Sequence, residues 1–311
     1  MSDRPSREQR LGVDDRLADV WHEQRRLLLD VAYRMLGSVT DAEDVVQEAF
    51  ARLMRVDLEE IDDVRGWLVV VVTRLCLDQL RSARARHEAY VGTWLPEPLV
   101  EVPGAEPDPA DRVTLDDSVR MALLVVLERL SPAERAAFVL HDVFGFSFEA
   151  VGRIVGRSPA ACRQLASRAR RHIEAETSPA RFEVDPAMLH RAAEQFIRAA
   201  SSGDVDALLK VLDPDVVGWT DTGGVGGAPR AVAGSLRVAK TLLAFLRTWN
   251  VTLAPMAVNG EPGAIASLGG ELIAVLALES REGLIMKIHA IANPEKLAYV
   301  RSRLGGRQES S

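Results

Sequence analysis

The sequence predicts a multidomain protein in which two all-α domains are followed by an α+β domain. Apolar residues recur at helical spacing through the first 88 residues, and helical patterns resume from Leu115 to about Ile173. A proline-rich, acidic stretch separates these two regions. From Ala187 onward, predicted helices precede runs of β-forming residues, and helices followed by a curled antiparallel sheet make an α+β cone.

The composition is that of a globular protein. Hydrophobic residues make up 47% of the 311 residues, and the formal net charge is −7. The longest apolar runs, such as Trp67–Val72, fall far short of the ~20 residues that span a membrane. The first ten residues lack the apolar core of a secretory signal. Cys76 and Cys162 have no CxxC spacing, so we expect two buried or idle thiols in a cytoplasmic protein.

Three helices are predicted in the first 88 residues. The first stops at Gly37, and the second, TDAEDVVQEAFARLMR, is predicted to have Thr40 as N-cap and Glu43 as its capping-box partner. The apolar face of the second helix is Ala42, Val45, Val46, Ala49, Phe50 and Leu53, and its opposite face is Asp44, Gln47, Glu48 and Arg52. The third runs from near Val64 to about His87. Its four consecutive valines have strand propensity, but the length of the surrounding pattern favours a buried helix.

The segment that follows, EAYVGTWLPEPLVEVPGAEPDPADRVT, is predicted to be an extended acidic linker. Each proline removes a hydrogen-bond donor and disfavours helix in the residue before it. After the second helical region, EAETSPARFEVDPA predicts a shorter linker. In the C-terminal part, two helices, a strand (VVGWTD) and another helix precede four β-rich runs. Asn259-Gly260 and Arg281–Gly283 are typical of hairpin turns.

One segment of this acidic chain is strongly cationic. Between Glu149 and Glu174 there is no acid, and the arginines are Arg153, Arg157, Arg163, Arg168, Arg170 and Arg171. SFEAVGRIVG predicts a short helix that ends at Gly156, and Ser158 with Pro159 predicts the start of a second helix. This second helix has one apolar stripe and a small, basic opposite face, which is typical of a helix-turn-helix that enters the major groove. The alternative is a solvated basic helical hairpin.

The basic residues of this segment suit DNA. Arg163 and Gln164 match guanine and adenine edges, whereas Arg157, Arg168 and Arg171 suit phosphates. An acidic protein can bind DNA when its cations converge on one groove and its acids face elsewhere.

A second basic face lies on the third predicted helix. Arg74, Asp78, Arg81 and Arg84 stand three or four residues apart, with Arg86 and His87 beyond them. On spacing alone, this face could instead be a surface with an internal Arg74–Asp78 or Asp78–Arg81 pair. Two DNA-facing helices joined by an acidic tether suit a protein that touches two separated promoter elements.

These motifs together resemble the extracytoplasmic-function (ECF) sigma factors of bacterial RNA polymerase. DAEDVVQEAF (Asp41–Phe50) is similar to the region-2 helix that binds the polymerase clamp, and RGWLVVVVTRLCLDQLRSARAR to the helix that melts and reads the −10 element. LSPAERAAFVLHDVFGFSFEAVGRIVGRSPAACRQLASRARR resembles region 4, which reads the −35 element. YVGTWLPEPL (Tyr90–Leu99), CRQLASRAR and NPEKL (Asn293–Leu297) resemble the SigJ-type subgroup, whose C-terminal SnoaL-like domain has the NTF2-like cone fold.

The resemblance implies an organisation and a set of contacts. The expected parts are sigma region 2 at 12–88, the linker at 89–114, sigma region 4 at 115–175 and the SnoaL-like regulatory domain at 187–300. The expected −35 contacts are Arg157, Ser158, Ala160, Arg163, Gln164, Ser167, Arg168 and Arg171. The expected −10 contacts are Arg74, Asp78, Arg81, Arg84 and Arg86, and the expected polymerase contacts are Asp41, Asp44, Gln47 and Glu48. The C-terminal domain is expected to contact the sigma regions through Asp221, Asn293, Pro294, Glu295, Lys296 and Leu297.

The partners implied are core RNA polymerase and promoter DNA, with no membrane, metal or cofactor, in a chain that is monomeric when free. One departure concerns an Asp-Gly-Gly-Gly-Lys motif that members often carry. Here the place reads TDTGGVGGAPR (Thr220–Arg230), with Asp221 and glycines present but no lysine.

The sequence leaves two alternative functions open. SnoaL-type cyclases use an acid for proton transfer, and Asp221 with His289 could form such a pair. Apolar strands and the lack of metal-ligand spacing favour a regulatory domain over an enzyme. The other alternative is a one-component helix-turn-helix regulator with a ligand-sensing domain, but such a protein would not require the polymerase-binding-like helix or the second basic helix.

Overall fold

The structure, a computed structural model, describes residues 7–87, 93–101, 114, 119–176, 186–224 and 231–305, with the side chains of 7–16, 83–87 and 305 outside the description. Contacts divide the chain into two compact units. Of the described residues, 7–81, 114 and 131–166 belong to the first unit, and the others belong to the second. Within this part of the chain, no helix combines the length and apolarity needed to cross a membrane.

The described helices are α1 (Arg7–Leu36), α2 (Val39–Leu53), α3 (Val64–His87), α4 (Met121–Arg129), α5 (Pro132–Phe138), α6 (Phe148–Val155), α7 (Pro159–Glu176), α8 (Pro186–Ser202), α9 (Val205–Val211), α10 (Ser235–Trp249) and α11 (Pro294–Gly305). A 3-10 turn covers Leu58–Glu60, and a π-helical turn covers Val139–Val143. The described strands are β1 (Val100–Glu101), β2 (Leu212–Asp221), β3 (Val232–Ala233), β4 (Val251–Val258), β5 (Glu261–Leu268), β6 (Glu271–Arg281) and β7 (Leu284–Ile291).

The first unit is helical, and its core is built on amphipathic faces. Helix α1 packs against α2 and against the π-helical turn. The predicted apolar face of α2 is buried throughout, and the valine-rich segment is helical as predicted. The predicted cap of α2 is wrong: Ser38, not Thr40, is the N-cap, and its Oγ accepts from Asp41 N–H at 3.1 Å. The reason is Gly37, which ends α1 at φ 67° and leaves Ser38 as the first extended residue.

Buried charges tie distant parts of the first unit together. Arg34 is 1% exposed and donates to the Asp30 carboxylate at 3.2 Å and to the Thr114 carbonyl at 3.0 Å. Thr114 returns two hydrogen bonds to Asp30, from its N–H at 2.6 Å and its hydroxyl at 2.7 Å. Arg135 of α5, also buried, donates to the Met35 carbonyl at 2.8 Å. Because each of these charges is hydrogen-bonded, the unit tolerates their burial.

The second unit contains a seven-stranded sheet in the order β1-β4-β5-β6-β7-β2-β3. The hairpins β4 to β7 are antiparallel, and the predicted turns are confirmed by positive φ at Asn259, Gly260, Glu282 and Gly283. The predicted antiparallel sheet is thus present, but β2 adds to it in parallel with β7, which was not predicted. The chain from β2 to β7 passes through β3, α10 and β4 to β6, and a connection of this length does not impose the antiparallel pairing of a tight hairpin.

The two faces of this sheet carry two separate cores. One core packs beneath α8, α9 and α10 and includes Phe196, Leu243 and Ile288. The other core includes Val275, Ile291 and Leu297, and it also contains Leu95 and Val100 from the predicted linker. Strand β1 was not predicted: Val100 and Glu101 pair with β4 at Val258 and Ala257. Leu95 and Val100 of the predicted linker are therefore part of the second unit's core.

Candidate functional site

Local hydrogen bonds cap both helices of the helix-turn-helix, α6 and α7. The Ser147 hydroxyl accepts from Ala150 N–H at 3.2 Å to start α6, and Gly156 ends that helix at φ 72°. The Ser158 hydroxyl accepts from Ala161 N–H at 3.2 Å to start α7. Gly152, which sequence reasoning missed, permits this turn, since a Cβ there would lie 2.7 Å from the Arg157 carbonyl oxygen. The caps were readable from sequence, but the close approach at Gly152 was not.

The outer face of α7 is exposed to solvent. All eight expected −35 residues are exposed: Arg157, Ser158, Ala160, Arg163, Gln164, Ser167, Arg168 and Arg171. The opposite stripe of Cys162, Leu165, Ala166 and Ala169 is buried. The Arg163 guanidinium lies 5.6 Å from the centroid of the Phe148 ring, which positions its charge without burying it. Both thiols are buried, and burial raises the pKa of Cys162 and of Cys76, so both remain uncharged.

The basic face of α3 is exposed where it is described. Arg74, Asp78 and Arg81 are exposed, whereas the side chains of Arg84 and Arg86 lie outside the described residues. Arg81 Nη1 donates to Asp78 Oδ1 at 3.1 Å, so one of the internal pairs considered from sequence exists. Such a surface pair contributes only about 0–1 kcal/mol and can exchange for a phosphate. Arg74 donates to the Arg153 carbonyl of α6 at 3.3 Å.

The acidic face of α2 is also solvent-facing. Asp44, Gln47 and Glu48 are exposed, and Glu48 accepts from Arg52 Nε at 2.8 Å across one helical turn. Asp41 is half-buried in the first turn of α2, where a carboxylate stabilises the positive end of the helix dipole. Three of the four expected polymerase contacts therefore share an accessible surface, and the fourth has a structural role in α2.

In the second unit, Asp221 and Lys296 meet at the predicted linker. Asp221 is fully buried at the end of β2, and its Oδ2 accepts from Leu95 N–H at 3.0 Å and from Lys296 Nζ at 2.7 Å. Lys296 also donates to the Leu95 carbonyl, and its ammonium lies 3.2 Å from the centroid of the Trp94 ring. The backbone of Leu95 is thus held on both its N–H and its C=O. We call Asp221, Lys296, Trp94 and Leu95 the linker clamp.

Burial sets the electrostatics of the clamp. Removal from water lowers the pKa of Lys296, and the Asp221 carboxylate opposes that shift. Asn293 starts α11, since its Oδ1 accepts from Glu295 N–H at 3.0 Å, and Leu297 lies in the core. Pro294 and Glu295 are exposed. The expected regulatory residues therefore divide into those at the clamp, those that position α11 and two that face solvent.

Asn259 is a further linker contact that sequence reasoning missed. It is 1% exposed in the β4–β5 turn, where its Oδ1 accepts from Leu99 N–H at 3.1 Å and its own N–H donates to the Leu99 carbonyl at 2.7 Å. Its Nδ2 donates to the Val119 carbonyl at 2.9 Å. The Asn-Gly pair predicted only a turn. Nothing in the local sequence indicates that the Asn259 side chain bonds Leu99 and Val119, which lie 160 and 140 positions earlier in the chain.

Asp221 and His289, the alternative proton-transfer pair, bond to different partners. Asp221 belongs to the linker clamp, whereas His289 Nε2 bonds Glu279 Oε1 at 2.8 Å and stacks on Trp219 with ring centroids 5.2 Å apart. The strand register explains this, since Asp221 pairs with Ile291 and His289 pairs with Trp219. Among the described residues, no group of three or more His, Cys, Asp and Glu is placed to hold a metal ion.

Comparison with known proteins identifies the family. The profile of Sigma-70 region 2 matches residues 20–86, and that of Sigma-70, region 4 matches residues 120–173. "Probable ECF RNA polymerase sigma factor SigI" of Mycobacterium tuberculosis is 44% identical over 298 residues, covering 94% of this chain and 98% of SigI. The ECF RNA polymerase sigma factor SigJ of the same species is 43% identical over 285 residues, covering 88% of this chain and 90% of SigJ. The chain belongs to the ECF RNA polymerase sigma factors.

A solved structure agrees with this identification. The crystal structure of M. tuberculosis SigJ superposes with a TM-score of 0.74 at 39% identity, covering 90% of this sigma factor and 98% of SigJ. The predicted fold class is confirmed as two all-α sigma domains that precede an α+β domain. Sigma factors are transcription initiation proteins and not enzymes.

Proposed function

We propose that this sigma factor binds core RNA polymerase and directs it to promoters by contacting the −10 and −35 elements at once. The observation that carries the proposal is the outer face of α7, where every expected −35 residue is exposed over a buried apolar stripe. An exposed helix of this kind, preceded by a capped turn, suits the major groove. The proposed parts are residues 12–88 for region 2, 89–114 for the linker, 115–175 for region 4 and 187–300 for the regulatory cone.

Base reading is assigned to the middle of α7. Arg163 and Gln164 present donors and acceptors that fit guanine and adenine edges, while Ser158, Ala160 and Ser167 are small enough to let the helix approach. Arg157, Arg168 and Arg171 are assigned to phosphates, which position the helix without sequence preference. Since the chain as a whole is acidic, this face supplies a local attraction that the net charge does not.

The −10 contacts are assigned to α3 and the polymerase contacts to α2. Arg74, Asp78, Arg81, Arg84 and Arg86 form the proposed −10 face. Asp44, Gln47 and Glu48, with Asp41 at the helix start, form the proposed polymerase face, whose negative charge suits a basic partner surface. In the free chain Arg74 bonds the α6 backbone within the first unit, so reading two separated elements requires that contact to open.

Regulation is assigned to the cone acting in cis. The linker clamp bonds the backbone of Leu95, and Asn259 bonds the backbone of Leu99. A linker that is docked in this way limits how far the flanking sigma regions can separate. We assign the docked linker to the restrained state and its release to the active state. The protein is proposed to act as a monomer in the cytoplasm, where polymerase works, without a cofactor.

The test of the assignment is reconstitution with core polymerase. The full chain is mixed with core enzyme, resolved by gel filtration, and supplied with a genomic DNA library for run-off transcription and sequencing of the start sites. Co-elution with core and start sites that share two spaced motifs are expected. A chain that does not co-elute, or start sites without a common −35 motif, would contradict the assignment.

A further inference from the structure

A cavity of about 260 Å³ lies within the second unit, on the sheet face that also carries the linker clamp. Its sheet side is formed by Trp219, Glu279, Lys287 and His289, and its other walls come from residues 93–95, from α4 and from Glu176 of α7. The volume is below the ~300–1,000 Å³ of pockets that hold drug-sized ligands, so it suits a molecule with a single ring. No role in promoter recognition requires this cavity.

The polar end of the cavity presents an unused hydrogen-bond acceptor. Glu279 accepts from His289 Nε2 at 2.8 Å and from Lys287 Nζ at 3.3 Å. Because a carboxylate can only accept, Nε2 carries a proton, and in the imidazole tautomer with that proton Nδ1 keeps its lone pair. His289 is 2% exposed, and its Nδ1 has no hydrogen-bond partner among the described residues. A buried acceptor without a donor is costly, so a ligand that supplies the donor gains free energy.

The remaining walls favour an uncharged ring. The Trp219 ring lies nearly parallel to the His289 imidazole, with an angle of 10° between the ring planes, and it offers an aromatic surface. Val125 and Val126 add apolar area to the walls. The charged groups are already matched: Lys287 pairs with Glu279, and Arg129 pairs with Glu176 at 2.5 Å. The remaining acid, Glu128, acts electrostatically on Lys296. A charged ligand would disturb these pairs, whereas a neutral one would not.

We propose that the cavity binds a small uncharged ring compound that carries a hydroxyl group, with the hydroxyl donating to His289 Nδ1 and the ring lying against Trp219. Residues 93–95 form one wall, so the complete site exists only while the linker is docked. The ligand therefore stabilises the docked linker, and linker docking strengthens ligand binding by the same factor. This effect on the linker rests on the proposed regulation in cis, whereas ligand binding itself does not.

Binding is tested on the full chain with two probes of similar size, phenol and toluene, by isothermal titration calorimetry. Phenol has the hydroxyl donor and is expected to bind with a dissociation constant on the order of millimolar. Toluene lacks the donor and is expected to bind at least about tenfold more weakly. Equal affinities for the two probes, or no saturable heat with phenol, would overturn the proposal.

Variants locate the site. His289→Leu, which keeps side-chain bulk but removes the acceptor, is expected to abolish the preference for phenol. His190→Leu, at an exposed histidine of α8, is the matched control and is expected to keep it. Circular dichroism checks that both variants fold. A preference for phenol that survives in folded His289→Leu places the ligand elsewhere and overturns the assignment. Should His289→Leu not fold, the probe pair on the unmodified chain still decides whether a donor-selective site exists.

The effect of ligand binding on linker docking is tested separately, by measuring the amount of transcript with and without saturating phenol. A reduction of several-fold in the unmodified chain, absent in His289→Leu, is expected. Phenol that binds through His289 but leaves transcription unchanged would overturn the coupling and not the site. A chain that initiates transcription normally but does not bind phenol would overturn the site and leave the proposed sigma function intact.

Discussion

The cation of Lys296 and the cations of the α7 arginines differ in burial and in hydrogen bonding. Lys296 is 7% exposed, and its ammonium is surrounded by the Asp221 carboxylate, the Leu95 carbonyl and the Trp94 ring. The α7 arginines lie on a solvent-facing surface. A buried cation with its hydrogen bonds made is committed to its own fold, whereas an exposed row of cations remains available to a partner.

The comparison teaches that local charge density alone does not mark a binding surface. NPEKL has only one cation, yet that cation holds a segment 201 residues away in sequence. The α7 segment has many cations, and the structure gives most of them no role in the core. The same amino-acid chemistry therefore supplies an internal restraint in one place and an intermolecular surface in the other.

The largest expected effect comes from removing the buried cation. Lys296→Met leaves the Asp221 carboxylate buried without its ammonium, and breaking a buried pair in this way costs about 3–5 kcal/mol. We expect faster hydrogen exchange at the amides of Leu95 and Leu99 and a lower melting temperature. Lys240→Met, at an exposed lysine of α10, is the matched control. Equal exchange rates in the two variants would show that the clamp does not hold the linker.

Charge reversal on α2 is expected to be next in size. Asp44→Lys combined with Glu48→Lys places like charges against a basic polymerase surface and is expected to weaken association roughly a hundredfold. The fold should survive, because both side chains are exposed. The control reverses two exposed acids of the cone, Glu194 and Glu271, to Lys. Association is measured by fluorescence anisotropy with core enzyme, and retained affinity in the α2 variant would move the polymerase contact to another surface.

A smaller effect is expected from a single base-reading side chain. Arg163→Ala removes a bidentate contact worth about 1–3 kcal/mol, so discrimination at one −35 position should fall by roughly 5- to 160-fold. Holoenzyme binding to a library with every base at each −35 position measures this. Arg237→Ala, at an exposed arginine of α10, should leave every position unchanged. A loss from Arg163→Ala that is the same for all sequences would make this residue a phosphate contact.

The smallest effect is expected at the phosphate contacts. Arg171→Ala should weaken binding evenly across sequences and reduce the slope of log K against log salt by about 0.9. Titrations at several salt concentrations measure the slope. An unchanged slope, or a change in preference at one base, would remove Arg171 from the phosphate group.

Sequence reasoning succeeded where the determinants are local. The face of α2, the turn at Gly156 and the cap at Ser158 follow from helical spacing and residue conformation, and the structure confirms them. The N-cap of α2 was misplaced by two residues because Ser38 and Thr40 can both cap, and Gly37 decides between them.

Sequence reasoning failed where partners are distant in the chain. The parallel pairing of β2 with β7 depends on the path of a long connection, which periodicity does not encode. The partner of His289 was missed because Glu279 lies on a neighbouring strand, and only the register brings the two together. Asp221, Lys296 and Leu95 were each noticed within a motif, but their meeting depends on the folded sheet.

The central claim is that the cone restrains this sigma factor by holding its linker. Transcript yield at a promoter found in the reconstitution tests this most directly, with the unmodified chain, Lys296→Met and Lys240→Met compared at equal amounts of bound holoenzyme. The account predicts more transcript from Lys296→Met than from the other two, which should match each other. Equal or lower yield from a folded, polymerase-bound Lys296→Met chain would contradict it.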